Sequence, residues 1–330
     1  MKKEKQFVRT PVLYLVIPCY NESAVLDETL PVFAKTVLHL AHDHVIAGNS
    51  CVLLVDDGST DDTWEKIWNA SRNPAYAPFV KGIRESKNNG HQNALMAGMM
   101  YVRSKGCDIV ITMDADGQDD ISVLPDMIRK YSRDFCDIVY GVRRRRTQDT
   151  VGKRWTAHLY YRLMHLFGAH VIYDHADFRL LSRRALDALA QYPERNLFLR
   201  GIVPDLGFDT AIIEYDRMER MAGDTKYPLR KMLKLALDGI TGFSIRPLHM
   251  IAGLGFVMSV GSFVACVWAL ISFLLGNTVP GWTSMTCIVC LVCGVQLLCL
   301  GVIGIYVGRI CQEVKQRPRY LLSETTEDEE

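Results

Sequence analysis

Residues 250–276 and 284–308 of this 330-residue chain contain no charged residue, although Asp, Glu, Lys and Arg make up 23% of the whole. A helix crosses a hydrocarbon core of about 30 Å with roughly 20 apolar residues. Both stretches meet that length, and residues 277–283 between them are enough only for a link. The pattern predicts a hairpin of two transmembrane helices, 249–276 and 284–309. Arg230, Lys231, Lys234 and Arg246 precede it, Arg309, Lys315, Arg317 and Arg319 follow it, and the link has no Lys or Arg. Positive charge gathers on the cytoplasmic side of a membrane, so both flanks are expected inside and the link outside. The N-terminal MKKEKQF lacks the apolar segment of a secretory signal. The residues ahead of the hairpin are therefore expected to form a cytosolic domain of a multi-pass protein in the plasma (inner) membrane.

Charge and cysteine usage narrow the partners. Lys and Arg total 38 against 37 Asp and Glu, a net charge of +1, which gives no reason to expect nucleic acid. Six of the ten Cys (Cys266, Cys287, Cys290, Cys293, Cys299 and Cys311) lie in or beside the hairpin. Cys287 and Cys290 form a C-x-x-C. Inside an apolar helix, with no second pair in a suitable context, they read as small packing residues rather than a metal or redox site. Cytosolic placement also argues against disulfides.

Ahead of the hairpin, short branched apolar runs predict strands over residues 12–18 (VLYLVIP), 51–57 (CVLLVDD) and 108–113 (DIVITM), with weaker ones over 79–84 and 137–141. Helical stretches fall between them at 23–42, 61–71, 90–105 and 121–134. Strands that alternate with helices and are nearly all apolar imply an α/β fold with a mostly parallel sheet. Two further stretches, 151–167 and 228–243, set Lys and Arg against Leu and Ile at helical spacing, as helices at a membrane interface do and as helices packed on a soluble core also do; the second, next to the hairpin, fits the interface better. Residues 324–330 are acidic and are expected to be disordered.

In a parallel sheet, ligands bind beyond the carboxyl ends of the strands. The polar signatures sit there: Cys19-Tyr20-Asn21-Glu22, Asp56-Asp57-Gly58-Ser59 and Asp114-Ala115-Asp116. Asp114 and Asp116 are two apart, so on an extended backbone their side chains share a direction. Like charges placed so close are tolerable when a cation neutralises them. Hard oxygen donors suit Mg²⁺ or Mn²⁺, and Mg²⁺ commonly binds one or two carboxylates together with substrate phosphates. The implied substrate is a diphosphate whose charge the metal spreads, making it a leaving group. Asp119 and Asp120 fit the start of the next helix, where negative charge is favourable.

VIPCYNES, VDDGSTDDT and MDADGQDD, in this order and spacing, resemble the family 2 glycosyltransferases of GT-A fold. NNGHQNALMAG (88–98), DFRLLSR (177–183), LRGIVPDLGF (199–208) and AGDTKYPLRK (222–231) resemble the polyprenyl-phosphate sugar transferases within it. That group includes dolichol-phosphate mannose synthase and the bacterial undecaprenyl-phosphate glucosyltransferases. The hairpin and YVGRICQEVKQRPRY (306–320) look like the bacterial branch. The resemblance covers about residues 10–320. It implies a GT-A domain over 1–227, a juxtamembrane amphipathic helix over 228–248, the two spans, and a cytosolic tail over 310–330.

The resemblance also implies roles. Pro18, Tyr20 and Glu22, with Asn21, would cradle the nucleotide. Asp57 would contact the base, with Val55 and Asp56 nearby. Asp114 would face the ribose and share the metal, Asp116 and Gln118 would hold the metal, and Ala115 would lie against the donor. The family usually has Pro-Pro after the Gln, where this chain has Asp119-Asp120. Arg143 would bind the acceptor phosphate, with Arg179 and Arg200 as further cations and Arg144, Arg145 and Arg146 in the same basic run. Arg220 and Lys226 would lie on a loop over the donor phosphates. Asp177 stands where relatives have a proposed base, and either an orienting or a proton-accepting role is open to it.

A phosphate monoester is mostly dianionic at neutral pH, since its second pKa is near 6, and attacks the sugar without a strong base. Direct displacement inverts the anomeric centre. The reaction implied is hexose transfer from a nucleotide sugar such as UDP-glucose to undecaprenyl phosphate, for cell-envelope glycan modification. Relatives also use N-acetylglucosamine, galactose, mannose or aminoarabinose, and some form tetramers. A processive polysaccharide synthase would need a Gln-x-x-Arg-Trp motif, and Arg154-Trp155 lacks the upstream Gln. A non-catalytic scaffold would have eroded the Asp-x-Asp group, which is intact.

Overall fold

The computed structural model describes residues 10–144, 175–195, 197–216, 246–275 and 281–327. The strands expected from the apolar runs are β1 (Leu13–Cys19), β2 (Cys51–Asp56), β3 (Val80–Glu85), β4 (Ile109–Thr112) and β5 (Ile138–Arg143). Every residue of β1, β2 and β4 is buried, which is why these sequences run apolar instead of alternating. Helices α1 (Ser23–His42), α2 (Thr63–Arg72), α3 (His91–Ser104) and α4 (Leu124–Asp134) alternate with them. Beyond β5 come β6 (His175–Ser182), α5 (Arg183–Leu189), α6 (Leu199–Asp205), β7 (Thr210–Tyr215) and, at the end of the chain, β8 (Leu322–Thr325).

The strands make one mixed sheet in the order β7-β5-β6-β4-β1-β2-β3-β8. β1 pairs in parallel with β2 and β4, and β2 with β3. Their carboxyl ends therefore open on one edge, where Cys19, Asp56 and Thr112 hand over to the polar loops. β6 runs antiparallel between β4 and β5. α1 buries Leu26, Leu30, Phe33 and Val37 in the core. These lie at helical spacing on one face, and each fully buried side chain of this kind contributes roughly 1.5–3 kcal/mol.

The acidic tail departs from the expected disorder. β8 pairs antiparallel with β3 in the register Ile83↔Thr325 and Arg84↔Glu324. Lys81 and Lys105 both pair with Glu327, and the Tyr101 hydroxyl donates to it at 2.6 Å. Composition alone misses this, because the compensating cations lie more than 200 positions earlier. At Gly82 an added Cβ would collide with Ile67 Cγ2 and meet Thr326 Cγ2 at 3.2 Å, so the tail docks closely.

Burial opposes the charge of Glu327, but Lys105, Lys81 and Tyr101 overcome it and bring its carboxyl down to about 2. The unfolded chain protonates it near the ordinary value of 4.5. Its stabilisation is therefore complete above that value and lost as pH falls towards 2. Glu327→Gln is expected to lower stability by about 1–2 kcal/mol at pH 7, after allowing for partial exposure, and by only about a quarter of that at pH 2.5. Thermal melts at the two pH values check this.

The last two helices belong to a separate unit. α7 (Arg246–Leu274) and α8 (Trp282–Val314) contain stretches, Leu248–Ala265 and Leu291–Val314, long and apolar enough to cross a membrane, and none of their described residues is buried within the chain. The amphipathic stretches 151–167 and 228–243, most of the link between the helices, and Arg145, Arg146, Arg220 and Lys226 lie outside the described residues.

Candidate active site

Three loops meet at the carboxyl ends of β1, β2 and β3. Asn21, in the left-handed region at φ 54°, turns the chain after β1. Its N–H donates to Ser59 Oγ at 3.0 Å, and its side-chain oxygen accepts from Thr60 N–H at 2.9 Å. The Glu22 N–H donates to Thr63 Oγ1 at 3.0 Å. Gly58 has φ +64°, and a Cβ there would meet the backbone of Lys87 and Asn88 at 2.5–2.7 Å, so only glycine lets the loops close. Pro18 and Val55 are buried strand residues beneath this junction, and Tyr20 stands 45% exposed above it.

Asp56 and Asp57 are both buried. Asp57 accepts from the N–H groups of Asn89 at 2.7 Å and Gly90 at 3.0 Å. Both of its oxygens thus hold the loop before α3, a role the sequence did not show beside the expected base contact. Asp56 Oδ1 accepts from the Ser59 N–H at 3.1 Å. Glu85 is buried nearby with its Oε2 accepting from Asn89 Nδ2 at 2.6 Å. Burial, then the charges of Asp57 and Asp56, pushes its carboxyl up to about 7 despite that bond.

A second acidic group follows β4. Asp114 is partly exposed, Ala115 and Gln118 are buried, and Asp116 Oδ1 accepts from the Gln118 N–H at 3.1 Å. Desolvation pushes the Asp114 carboxyl up to about 6; His91 opposes this, and the charges of Asp119, Asp177 and Asp116 add to it. Its side chain remains 35% exposed, so solvent screening moderates the effect. Among the described residues, no three His, Cys, Asp or Glu side chains form a closed metal cluster. The donor set fits an open site for a hard cation instead. Asp114, Asp116 and Gln118 offer oxygen ligands, the crowding of carboxylates calls for positive charge, and water and phosphate complete such a shell.

Asp119 corrects the helix-start expectation. Asp120 does cap the 3₁₀ turn Ile121–Val123, accepting from the Ser122 N–H at 2.9 Å. Asp119 instead turns inward with a fully buried side chain, where Arg143 Nη2 donates to its Oδ1 at 2.9 Å and the Tyr215 hydroxyl donates to the same oxygen. Arg143 Nε also donates to Tyr215 Oη at 3.1 Å. Arg143 is thereby held beside the Asp-x-Asp loop with 28% of its side chain exposed. Burial opposes its charge, but Asp119 and Tyr215 raise its pKa further.

Arg179 corrects the acceptor expectation. Its side chain is 2% exposed and donates to Asp177 Oδ1 and, at 3.2 Å, to the Leu199 carbonyl. No acceptor phosphate reaches a guanidinium so enclosed. Arg200 pairs with both oxygens of Asp177, at 3.3 and 3.1 Å, and is 38% exposed. His91 Nε2 lies 3.3 Å from Asp177 Oδ2 and 3.6 Å from Asp114 Oδ1, bridging the two carboxylates. Burial opposes the charge of Asp177, but His91, Arg179 and Arg200 hold its carboxyl well below the usual range. A carboxylate so stabilised is a weak proton acceptor, and the geometry favours the orienting role. His91 and Gln92, which also contacts Asp177 and accepts from the Leu199 N–H at 3.0 Å, drew no role from the sequence. Their position at the start of α3, after the Gly90 turn, was the available signal.

A sheet of this topology with an acidic, cation-seeking site at its carboxyl edge defines the GT-A class of transferase. The profile of Glycosyl transferase family 2 matches residues 14–190, and the chain belongs to that family of glycosyltransferases. It is 49% identical over 313 residues to the uncharacterized glycosyltransferase YkoT of Bacillus subtilis, covering 94% of this chain and 91% of that one. It is 37% identical to the bactoprenol glucosyl transferase of Shigella phage SfX, covering 93% and 97%. A solved structure, the mannosyltransferase PcManGT from Pyrobaculum calidifontis with GDP-Man and Mn²⁺, is similar at 16% identity and a TM-score of 0.44, covering 86% and 87%.

Proposed function

We propose that this glycosyltransferase moves a hexose, glucose in the first instance, from a UDP-sugar to a polyprenyl phosphate at the cytosolic face of the membrane, with inversion. The observation that carries the reading is the acidic centre: Asp114, Asp116, Asp119 and Asp177 gathered beside Arg143, Arg200 and His91. The carboxylates suit a divalent cation carrying a diphosphate, and the partly exposed guanidinium groups suit a second phosphate. The name of the phage relative supports a bactoprenol acceptor. The exposed apolar surfaces of α7 and α8, such as Phe256 and Phe263 at 71% each, support anchorage in lipid, because large uncovered apolar patches seek an apolar partner. Basic flanks around an uncharged link support a cytosolic catalytic domain.

Asp114, Asp116 and Gln118 would hold Mg²⁺ or Mn²⁺, which supplies charge neutralisation to the departing nucleoside diphosphate. The loops of Tyr20–Glu22 and Asp56–Ser59, tied together through Ser59, Thr60 and Thr63, would hold the nucleotide. Arg143, fixed by Asp119 and Tyr215, and Arg200, fixed by Asp177, would receive and orient the acceptor phosphate. Arg220 and Lys226 retain their proposed place over the donor phosphates. The dianionic acceptor attacks without a protein base, so catalysis rests on positioning and charge.

Full-length protein given UDP-glucose, polyprenyl phosphate and Mg²⁺ or Mn²⁺ is expected to form a lipid-linked hexose and UDP. Excess EDTA is expected to lower the rate by at least about a hundredfold, with recovery on adding the metal back, as for other sites where a cation stabilises developing charge. A panel of UDP- and GDP-sugars identifies the preferred donor. Transfer that persists undiminished in EDTA sinks the metal role.

A further inference from the structure

The C-terminal strand reaches the nucleotide end of the sheet. The Ser86 N–H donates to the Leu321 carbonyl at 2.8 Å, and Gly82 exchanges hydrogen bonds with Thr326 at 2.9 and 3.0 Å. Between these ties, Arg84 and Glu324 are directly opposite, and side chains so placed interact across the ladder. Arg84 Nη1 donates to Glu324 Oε1 at 3.0 Å. The second oxygen of Glu324 accepts from Trp64 Nε1 at 2.9 Å. The Arg84 guanidinium lies 5.8 Å from the Trp64 ring centroid, so the carboxylate and the indole fix it together. Its Nε then stands 3.2 Å from Asp56 Oδ2. This is an ion pair without hydrogen-bond alignment, since Asp56 Oδ2 has no hydrogen-bond partner among the described residues. The Asp56 side chain is fully buried at the end of β2.

We infer that the C-terminal strand is a working part of the donor site: Glu324 and Trp64 position Arg84, and Arg84 holds buried Asp56, which braces the nucleotide loop through the Ser59 N–H. The inference rests on the donor reading above. A buried carboxylate needs a fixed cation, and a long arginine stem released from its partner is free to lift its head into water. Arg84 and Glu324 are positioning residues; neither is placed against the sugar or the phosphates. The described residues of the site otherwise precede residue 217, whereas Glu324 follows both apolar helices. A tail expected to be disordered thereby acts on the nucleotide loop.

Glu324→Gln in the full-length protein tests this, because β8 pairs with β3 through its backbone and that ladder survives the change. UDP, with divalent metal present, is the probe in a binding titration, and donor and lipid KM are measured beside it. The UDP Kd and the donor KM are expected to rise about tenfold while the polyprenyl-phosphate KM stays within twofold. Arg84→Gln is expected to do the same, and the double variant no more than either, since residues acting through one another are not additive. Trp64→Phe, which removes only the indole N–H, is expected to raise the donor KM about threefold. Unchanged UDP affinity in folded Glu324→Gln, or full additivity with Arg84→Gln, overturns the inference alone. A wild type that binds no UDP overturns the donor reading and the inference together.

Discussion

Asp116→Asn lowers sugar transfer about a thousandfold or more and leaves the protein folded. The Asp116 carboxylate is the second Asp of the Asp-x-Asp group, and its Oδ1 already accepts from the Gln118 N–H at 3.1 Å. Asparagine keeps an oxygen for that bond, so the loop retains its shape. What it loses is one full negative charge in a site proposed to hold a cation against a diphosphate. A thousandfold loss corresponds to about 4 kcal/mol in the barrier, in the range found when one preorganised electrostatic contact is removed. Full-length Asp116→Asn is expected to keep its melting temperature within a few degrees. Single-turnover transfer with UDP-glucose and polyprenyl phosphate measures the loss. A variant that transferred at a tenth of the wild-type rate or faster would remove Asp116 from the metal site.

Arg179→Met should destabilise the catalytic domain by about 3 kcal/mol, the low end for breaking a buried ion pair by deleting one partner. Arg179 is almost wholly enclosed, and it donates to Asp177 and to the Leu199 carbonyl. Methionine fills much of the volume but leaves that carbonyl short of a donor and Asp177 short of a cation. The loss is held near the low end because Arg200 and His91 still face Asp177. Activity should fall with it, since Asp177 orients Arg200. Chemical denaturation in detergent checks the stability change. A loss under about 1 kcal/mol would mean that Arg200 and His91 satisfy Asp177 alone, and that the buried pair is not what fixes it.

The two residues also show what the sequence could carry. The strand ends after β1, β2 and β4 were legible because a run of apolar residues that stops at polar ones is a local signal, and α1 begins and ends at the residues expected. Asp119 was misread for the opposite reason. Its partner Tyr215 is 96 positions away, while the helix that it seemed to cap is next door. Arg179 was read as a further cation for the acceptor phosphate, but β6 places it between β4 and β5, a neighbourhood that no local pattern encodes. The tail looked disordered by composition because Lys81, Arg84 and Lys105, the charges that make β8 stable, belong to β3 and the residue after α3.

The acidic centre is proposed to transfer one sugar from a nucleotide to a lipid phosphate. Mass spectrometry of the lipid fraction, after incubating the full-length protein with UDP-glucose, undecaprenyl phosphate and Mg²⁺, tests it most directly. The expected product is a lipid carrying a single added hexose, formed with one UDP released per lipid and absent without the metal, the lipid or Asp116. UDP released equally well without the lipid, or a growing polymer in place of a single hexose, would contradict it.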